Sequence, residues 1–93
     1  MQKQKPYARL ENWAVVPSSN IASYQELGVG NLLVGKVFGH SRIDDGTFIF
    51  TSPVVRLDGN SRVAETRNTA YRLGEASRDY TIWQQERAAV AAA

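Results

Sequence analysis

The sequence predicts a small α+β domain, an antiparallel β-meander of about four to five strands with a C-terminal helix packed on it. Three observations carry that prediction. Runs rich in Val, Ile, Phe, Thr and Tyr recur between residues 32 and 73, which is strand composition. Turn formers punctuate them, above all Asp58-Gly59-Asn60. Beyond Gly74 the residues change to Ser77, Asp79 and a stretch of Gln, Glu, Arg and Ala, which suits a capped helix.

Residues 1–6 read as a polar, flexible lead. Tyr7 to Val16 then reads as a strand, ending in Trp13, Val15 and Val16 and stopped by Pro17, which lacks the N–H that a ladder needs. The segment from Pro17 to Asn31 mixes turn formers with Ile21, Tyr24 and Leu27 at helical spacing. It is expected to form one or two short helical turns opened by Ser19 or Ser23 and closed by Gly28, or else a loop.

Leu32 to Phe38 is expected as a largely buried strand, with Leu32, Val34 and Phe38 on one face and Leu33 and Val37 on the other. Gly35 and Gly39 share the second face, where a missing side chain permits close backbone approach. The loop HSRIDDG follows and turns at Asp45-Gly46. Thr47 to Ser52 is the next strand, with Phe48 and Phe50 on one face; both rings, with Phe38, Trp13 and Tyr71, fit a core, Phe50 less simply because it precedes the Thr51-Ser52-Pro53 break.

Val54 to Leu57 continues extended into the Asp58-Gly59-Asn60 hairpin, Arg62 to Thr66 returns, Arg67 to Thr69 turns, and Ala70 to Leu73 completes the meander. Ser77 is the expected N-cap of a helix in which Asp79 suits the dipole and Tyr80, Ile82, Trp83 and Val90 form a partial apolar stripe. The alanine-rich residues 88–93 are expected to fray.

At 93 residues the chain makes one domain, and a domain that small buries a modest share of its surface, so assembly into a homo-oligomer is expected. Hydrophobic content of 43% with 22% charge fits a folded, globular chain. With no cysteine and one histidine, neither a disulfide framework nor a conventional zinc site is expected. No apolar run approaches the ~18 residues of a membrane span, and MQKQKPYARLEN lacks the apolar core of a signal peptide, so a cytoplasmic location and no membrane partner are expected. A net charge of +2 argues against a duplex nucleic-acid partner, which calls for a dense basic face.

Catalysis is not expected. Phosphate-loop, dinucleotide, nucleophile-elbow and zinc-protease motifs are all missing from the sequence, and no cofactor is implied. His40, with Ser41, Arg42, Asp44 and Asp45 around it, resembles an acid-base cluster, yet its spacing fits a loop whose residues bond locally; His40 and Arg42 are kept as a second candidate site. The richer candidate is a ligand site of Phe50, Thr51, Arg67, Asn68, Thr69, Tyr71 and Arg72. Guanidiniums chelate phosphate and stack on flat rings, while hydroxyls and amides hold ribose. The competing reading of Arg56, Arg62, Arg67 and Arg72 is a set of solvated charges that guard strand edges.

The core GTFIFTSPVVRLDGN…VAETRNTAYRLG, within residues 32 to 83, resembles the small phage-encoded anti-defence proteins, and among them the nucleotide-sequestering Thoeris anti-defence proteins. That resemblance implies a sponge that binds a cyclic nucleotide or cyclic ADP-ribose-type immune signal in an oligomer, without turnover, in the cytoplasm of an infected bacterial host. By residue chemistry Phe50, Arg67, Asn68 and Tyr71 would stack on the base and hold phosphate or ribose. An anti-CRISPR-like inhibitor of a defence protein, anchored by Trp13, Tyr24 and Trp83, is one alternative. A phage structural or assembly component that self-associates through β edges is another, and a small nucleotide hydrolase with His40 as base is the enzymatic one.

Overall fold

A computed structural model describes residues 5–60 and 62–92. Six strands, β1 (Tyr7–Val16), β2 (Leu32–Phe38), β3 (Thr47–Phe50), β4 (Val54–Asp58), β5 (Val63–Thr66) and β6 (Ala70–Leu73), precede one helix, α1 (Arg78–Ala92). They form a single sheet in the order β3-β2-β1-β6-β5-β4. The class is the expected α+β, and β4-β5-β6 is the expected antiparallel meander. Two features differ: the sheet has six strands, and it is mixed, because β1 lies parallel to β6 with Tyr7 opposite Ala70 and Leu10 opposite Leu73.

The sheet cannot be flat. β3 and β4 stand at opposite ends of the strand order, yet only Thr51, Ser52 and Pro53 separate them. Such a link spans roughly 14 Å at full extension, whereas the edges of a flat six-stranded sheet stand about 24 Å apart. The sheet therefore curls, and β4 continues the course of β3 after a kink. Hydrogen bonds fix the curl: the Val54 N–H donates to the Asn31 carbonyl at 2.8 Å, and the Gly30 N–H donates to the Val54 carbonyl at 2.8 Å.

The kink is also why one expected strand, Thr47 to Ser52, ends at Phe50. Thr51 is buried, and its Oγ1 accepts from the Leu33 N–H at 3.0 Å and donates to the Ser52 carbonyl at 2.8 Å. The hydroxyl thus stands in for a ladder carbonyl where the chain turns away.

The inward surface of the curl is the core, built from Ala8, Leu10 and Val15 of β1, Leu33 and Val37 of β2, Val54, Ala64, Tyr71 and Leu73. A bulge at Asn12, in the left-handed region at φ 54°, shifts the β1 register between Glu11 and Ala14. Gly35 sits under it: a Cβ there would lie 2.9 Å from the Glu11 carbonyl and 3.0 Å from the Trp13 Cα, so close backbone approach fixes glycine at this position.

Phe48 and Phe50 are not core. They are 56% and 51% exposed, stacked edge to face on the outer surface, because Ile49 is the β3 residue that packs toward the core. Phe38, also expected in the core, is half-buried beneath the Arg9 guanidinium, 4.8 Å from its ring centre. Trp13 and Tyr71 are buried as expected.

The segment from Pro17 to Asn31 is a turn-rich loop with no helical turn. It is held by the Gln25 N–H donating to the Val15 carbonyl and, at 2.6 Å, by the Tyr80 hydroxyl donating to the Gln25 carbonyl. Ser77 caps α1 as expected, its Oγ accepting from the Tyr80 N–H. Tyr80 is fully buried among Trp13, Tyr24 and Trp83, with ring centroids 5.4–5.5 Å away. Ile82 and Val90, expected on the same stripe, are exposed, and the helix continues through Ala92. Of the expected flexible lead, residues 1–4 lie outside the described residues, while Lys5 donates to the Thr66 carbonyl and pairs with Glu65.

Among the described residues no helix is long and apolar enough to cross a membrane.

Candidate functional site

Where the curl fails to close, β3 and the β5–β6 turn leave a cleft of about 500 Å³ between them. That volume falls within the range of small-molecule sites. The loop after β2 supplies one wall with His40, Ser41, Arg42 and Ile43. β3 and the kink supply Ile49, Phe50, Thr51 and Ser52, and the β5–β6 turn supplies Thr66, Asn68, Thr69 and the following Tyr71.

The two candidate sites of the sequence thus merge into one: Phe50, Thr51, Asn68, Thr69 and Tyr71 share this cleft with His40 and Arg42. Arg67 and Arg72 do not line it. Arg67 is exposed at the turn, and Arg72 alternates with Tyr71 along β6, so its side chain leaves by the outer face to border a separate recess with Tyr7, Arg9 and Phe38. Arg56 pairs with Glu65 and Arg62 donates to the Gly74 carbonyl. The arginines therefore do not converge; Arg42 is the one the fold brings to the cleft.

The polar groups divide by what already occupies them. Thr51 is committed to the kink. Thr66 Oγ1 donates to the Thr69 carbonyl and accepts from the Thr69 N–H, closing the turn. Thr69 is buried, and its hydroxyl bonds the Tyr71 phenol; burial raises the Tyr71 pKa above its ordinary value, with the Thr69 bond acting the other way. These groups form the floor of the cleft.

The rim is freer. His40 Nδ1 accepts from the Arg42 N–H at 3.0 Å, which fixes the ring. The Arg42 guanidinium makes no ion pair among the described residues. Ser41, Ser52 and Asn68 are exposed, and Phe50, whose ring packs on Phe48 at the outer surface, borders the cleft. A cation, an imidazole, hydroxyls, a carboxamide and a flat ring around one opening can hold an anionic, ring-bearing molecule.

No protein-family model, curated protein or solved structure matches this chain. The reading of the cleft rests on its own residues.

Pro6, Ile43, Ile49 and Thr66 also line the cleft and are not marked by the sequence as site residues, whereas Ser52 and Ser41 stand beside the expected contacts. Strand alternation put Ile49 opposite Phe48 and Phe50 without saying which face was inward, and nothing local marks the β2–β3 loop as folding toward the β5–β6 turn. Among the described residues no three His, Asp or Glu side chains gather as a metal site would need. The anchors expected for a protein inhibitor are engaged internally: Trp13 is buried, its Nε1 donating to the Gly74 carbonyl, and Tyr24 and Trp83 pack on Tyr80 and on each other.

Replacing Thr51 with valine, which matches its shape, leaves the buried Leu33 N–H without an acceptor. The expected loss is about 2 kcal/mol of unfolding free energy, read from urea denaturation. A change below about 0.5 kcal/mol would return Thr51 to the list of ligand contacts.

Proposed function

We propose that this chain binds and sequesters a small anionic nucleotide, a cyclic nucleotide or a cyclic ADP-ribose-type immune signal, and gives it back unchanged. It acts on this reading as an anti-defence protein of phage type in the cytoplasm of an infected bacterium, and it is not an enzyme. One observation carries the proposal: a cleft large enough for a nucleotide brings together Arg42, which makes no ion pair among the described residues, the oriented His40 and Phe50 at its border. Arg42 takes phosphate, Phe50 stacks on the base, and Asn68 with Ser41 and Ser52 meets ribose or base-edge groups.

A sponge needs affinity and no chemistry. The cleft's hydroxyls with known partners are held by backbone groups or by a neighbouring hydroxyl, and His40 Nδ1 is taken by the Arg42 N–H, so none is paired with a base in the way an activated nucleophile is.

The test is native mass spectrometry of the purified protein with a panel of cyclic nucleotides and cyclic ADP-ribose isomers, followed by analysis of heat-released material. A stoichiometric ligand recovered intact is the expected result. Recovery of a converted product would replace sequestration with catalysis, and no binding across the panel would end the nucleotide reading.

A further inference from the structure

We infer that β3 is a self-association edge through which two copies of this chain join their sheets about a two-fold axis. The sheet presents β3 and β4 as its ends, and the two are treated differently. β4 carries Arg56 and Asp58, charges of the kind that keep an edge from pairing. Thr47 to Ser52 carries no charge at all and displays two half-exposed phenylalanines.

The absence of charge matters in a particular way for a second copy. A two-fold axis through an antiparallel strand pair sets each residue against a near equivalent of itself, so any charge on the strand would meet its own sign. An uncharged edge is the condition for self-pairing, and β3 meets it.

The backbone satisfies the same symmetry. Thr51 N–H donates to the Leu33 carbonyl, and Ile49 stands opposite Gly35, so the odd-numbered residues turn their N–H and C=O groups toward β2. Phe48 and Phe50 therefore turn theirs to the open edge. In a pair centred on Ile49, Phe48 of one copy exchanges both backbone bonds with Phe50 of the other, and the reverse exchange closes the ladder. Their rings, already edge to face at 5.8 Å within one copy, would meet on one face of the joined sheet, where cross-strand aromatic pairs stabilise.

The rings supply part of the area that such a pairing buries. With ~200 Å² per aromatic side chain, the exposed halves of the four rings supply on the order of 400 Å², against the roughly 1,200 Å² that a specific interface needs. The strand backbones and the half-exposed Ile21, which borders the same recess as both rings, add to that surface. The occupant is thus a second copy of this chain and not an unrelated protein, because the complementarity is that of the edge with itself. Phe50 also borders the cleft, so the test of the pairing is placed at Phe48, which does not line it.

Analytical ultracentrifugation of the full chain tests it, with Phe48→Lys placing one charge on the edge at an exposed site. The wild type is expected to sediment as a dimer or a multiple of one at ~10 µM, and Phe48→Lys to weaken that association by at least roughly tenfold, with far-UV circular dichroism and melting temperature unchanged. The chain has no cysteine, so a single Ile49→Cys reports on register: it should form a disulfide-linked dimer on mild oxidation, because non-hydrogen-bonded partners lie near the two-fold axis, whereas Val55→Cys on β4 should not. A monomeric wild type at ~100 µM, an unaffected Phe48→Lys, or equal crosslinking at both positions would each overturn the inference.

Discussion

Replacing Tyr80 with alanine is expected to lower the unfolding free energy by about 4 kcal/mol, as truncation of a fully buried aromatic does. For a domain of this size that is roughly 15 to 30 °C of melting temperature. The loss is large because Tyr80 joins three pieces of chain. Its ring is stacked on Trp83 of the same helix at 5.5 Å and touches Trp13 of β1 and Tyr24 of the loop before β2, while its hydroxyl donates to the Gln25 carbonyl at 2.6 Å. Without it the ring and ion-pair contacts between α1 and the loop, among the described residues, are the Trp83–Tyr24 contact and the surface pair of Arg87 with Glu26, and exposed pairs contribute little. A melting temperature lowered by only a few degrees would show that the helix is held elsewhere.

The same residue sets an alkaline limit. Burial first, and the nearby Glu26 carboxylate second, push the Tyr80 pKa up to about 12, against a smaller opposing pull from Arg87. A phenol is neutral when protonated, so the folded state holds this proton more tightly than the unfolded chain does. The stability it contributes is complete below pH 10 and is lost as pH rises from 10 to about 12, on the order of 2 kcal/mol. Tyr80→Phe gives up the hydrogen bond, about 1 kcal/mol, and should flatten the decline. Urea midpoints measured from pH 8 to 12 on both proteins distinguish the two; parallel curves would refute the assignment.

The largest effect on binding is expected at Arg42. Arg42→Ala should weaken an anionic nucleotide by roughly 10- to 100-fold, the loss of a charge-assisted hydrogen bond, while leaving the melting temperature unchanged because the side chain is exposed and makes no ion pair among the described residues. Arg67→Ala is the matched comparison: it removes the same charge from the far side of the turn, outside the cleft. Isothermal titration of both variants with the ligand identified by mass spectrometry gives the ranking. If Arg67→Ala is the weaker binder, the phosphate lies over the β5–β6 turn and the cleft reading fails.

What the sequence disclosed was local. Leu32–Phe38 appears with its expected bounds, Asp58-Gly59-Asn60 turns where its residue types demand, and Ser77 caps the helix. Each of these is decided within a few residues by dihedral preference or alternation. The parallel union of β1 with β6 was not legible, since nothing in Tyr7–Leu10 or Ala70–Leu73 states a partner some sixty residues away. Phe48 fails for a related reason: alternation says which residues share a face, and only the neighbouring strands decide that Ile49 faces in. The candidate residues share that limit. Tyr71 and Arg72 were grouped by adjacency, and a strand sends adjacent side chains to opposite sides.

The β1–β6 pairing also bears on how the molecule comes into being. β1-β2-β3 and β4-β5-β6 can each form from neighbours in the chain, but the curl closes only when the first strand meets the last. On a ribosome, β1 must wait with its β6-facing edge unpaired while the rest of the sheet is made, and the chain entropy of that long loop is surrendered late. Folding is therefore expected to be slow for a domain of this size, with the half-sheets as its early species. An isolated half would leave β1 or β6 as a raw edge, so neither should survive long in a cell without the other.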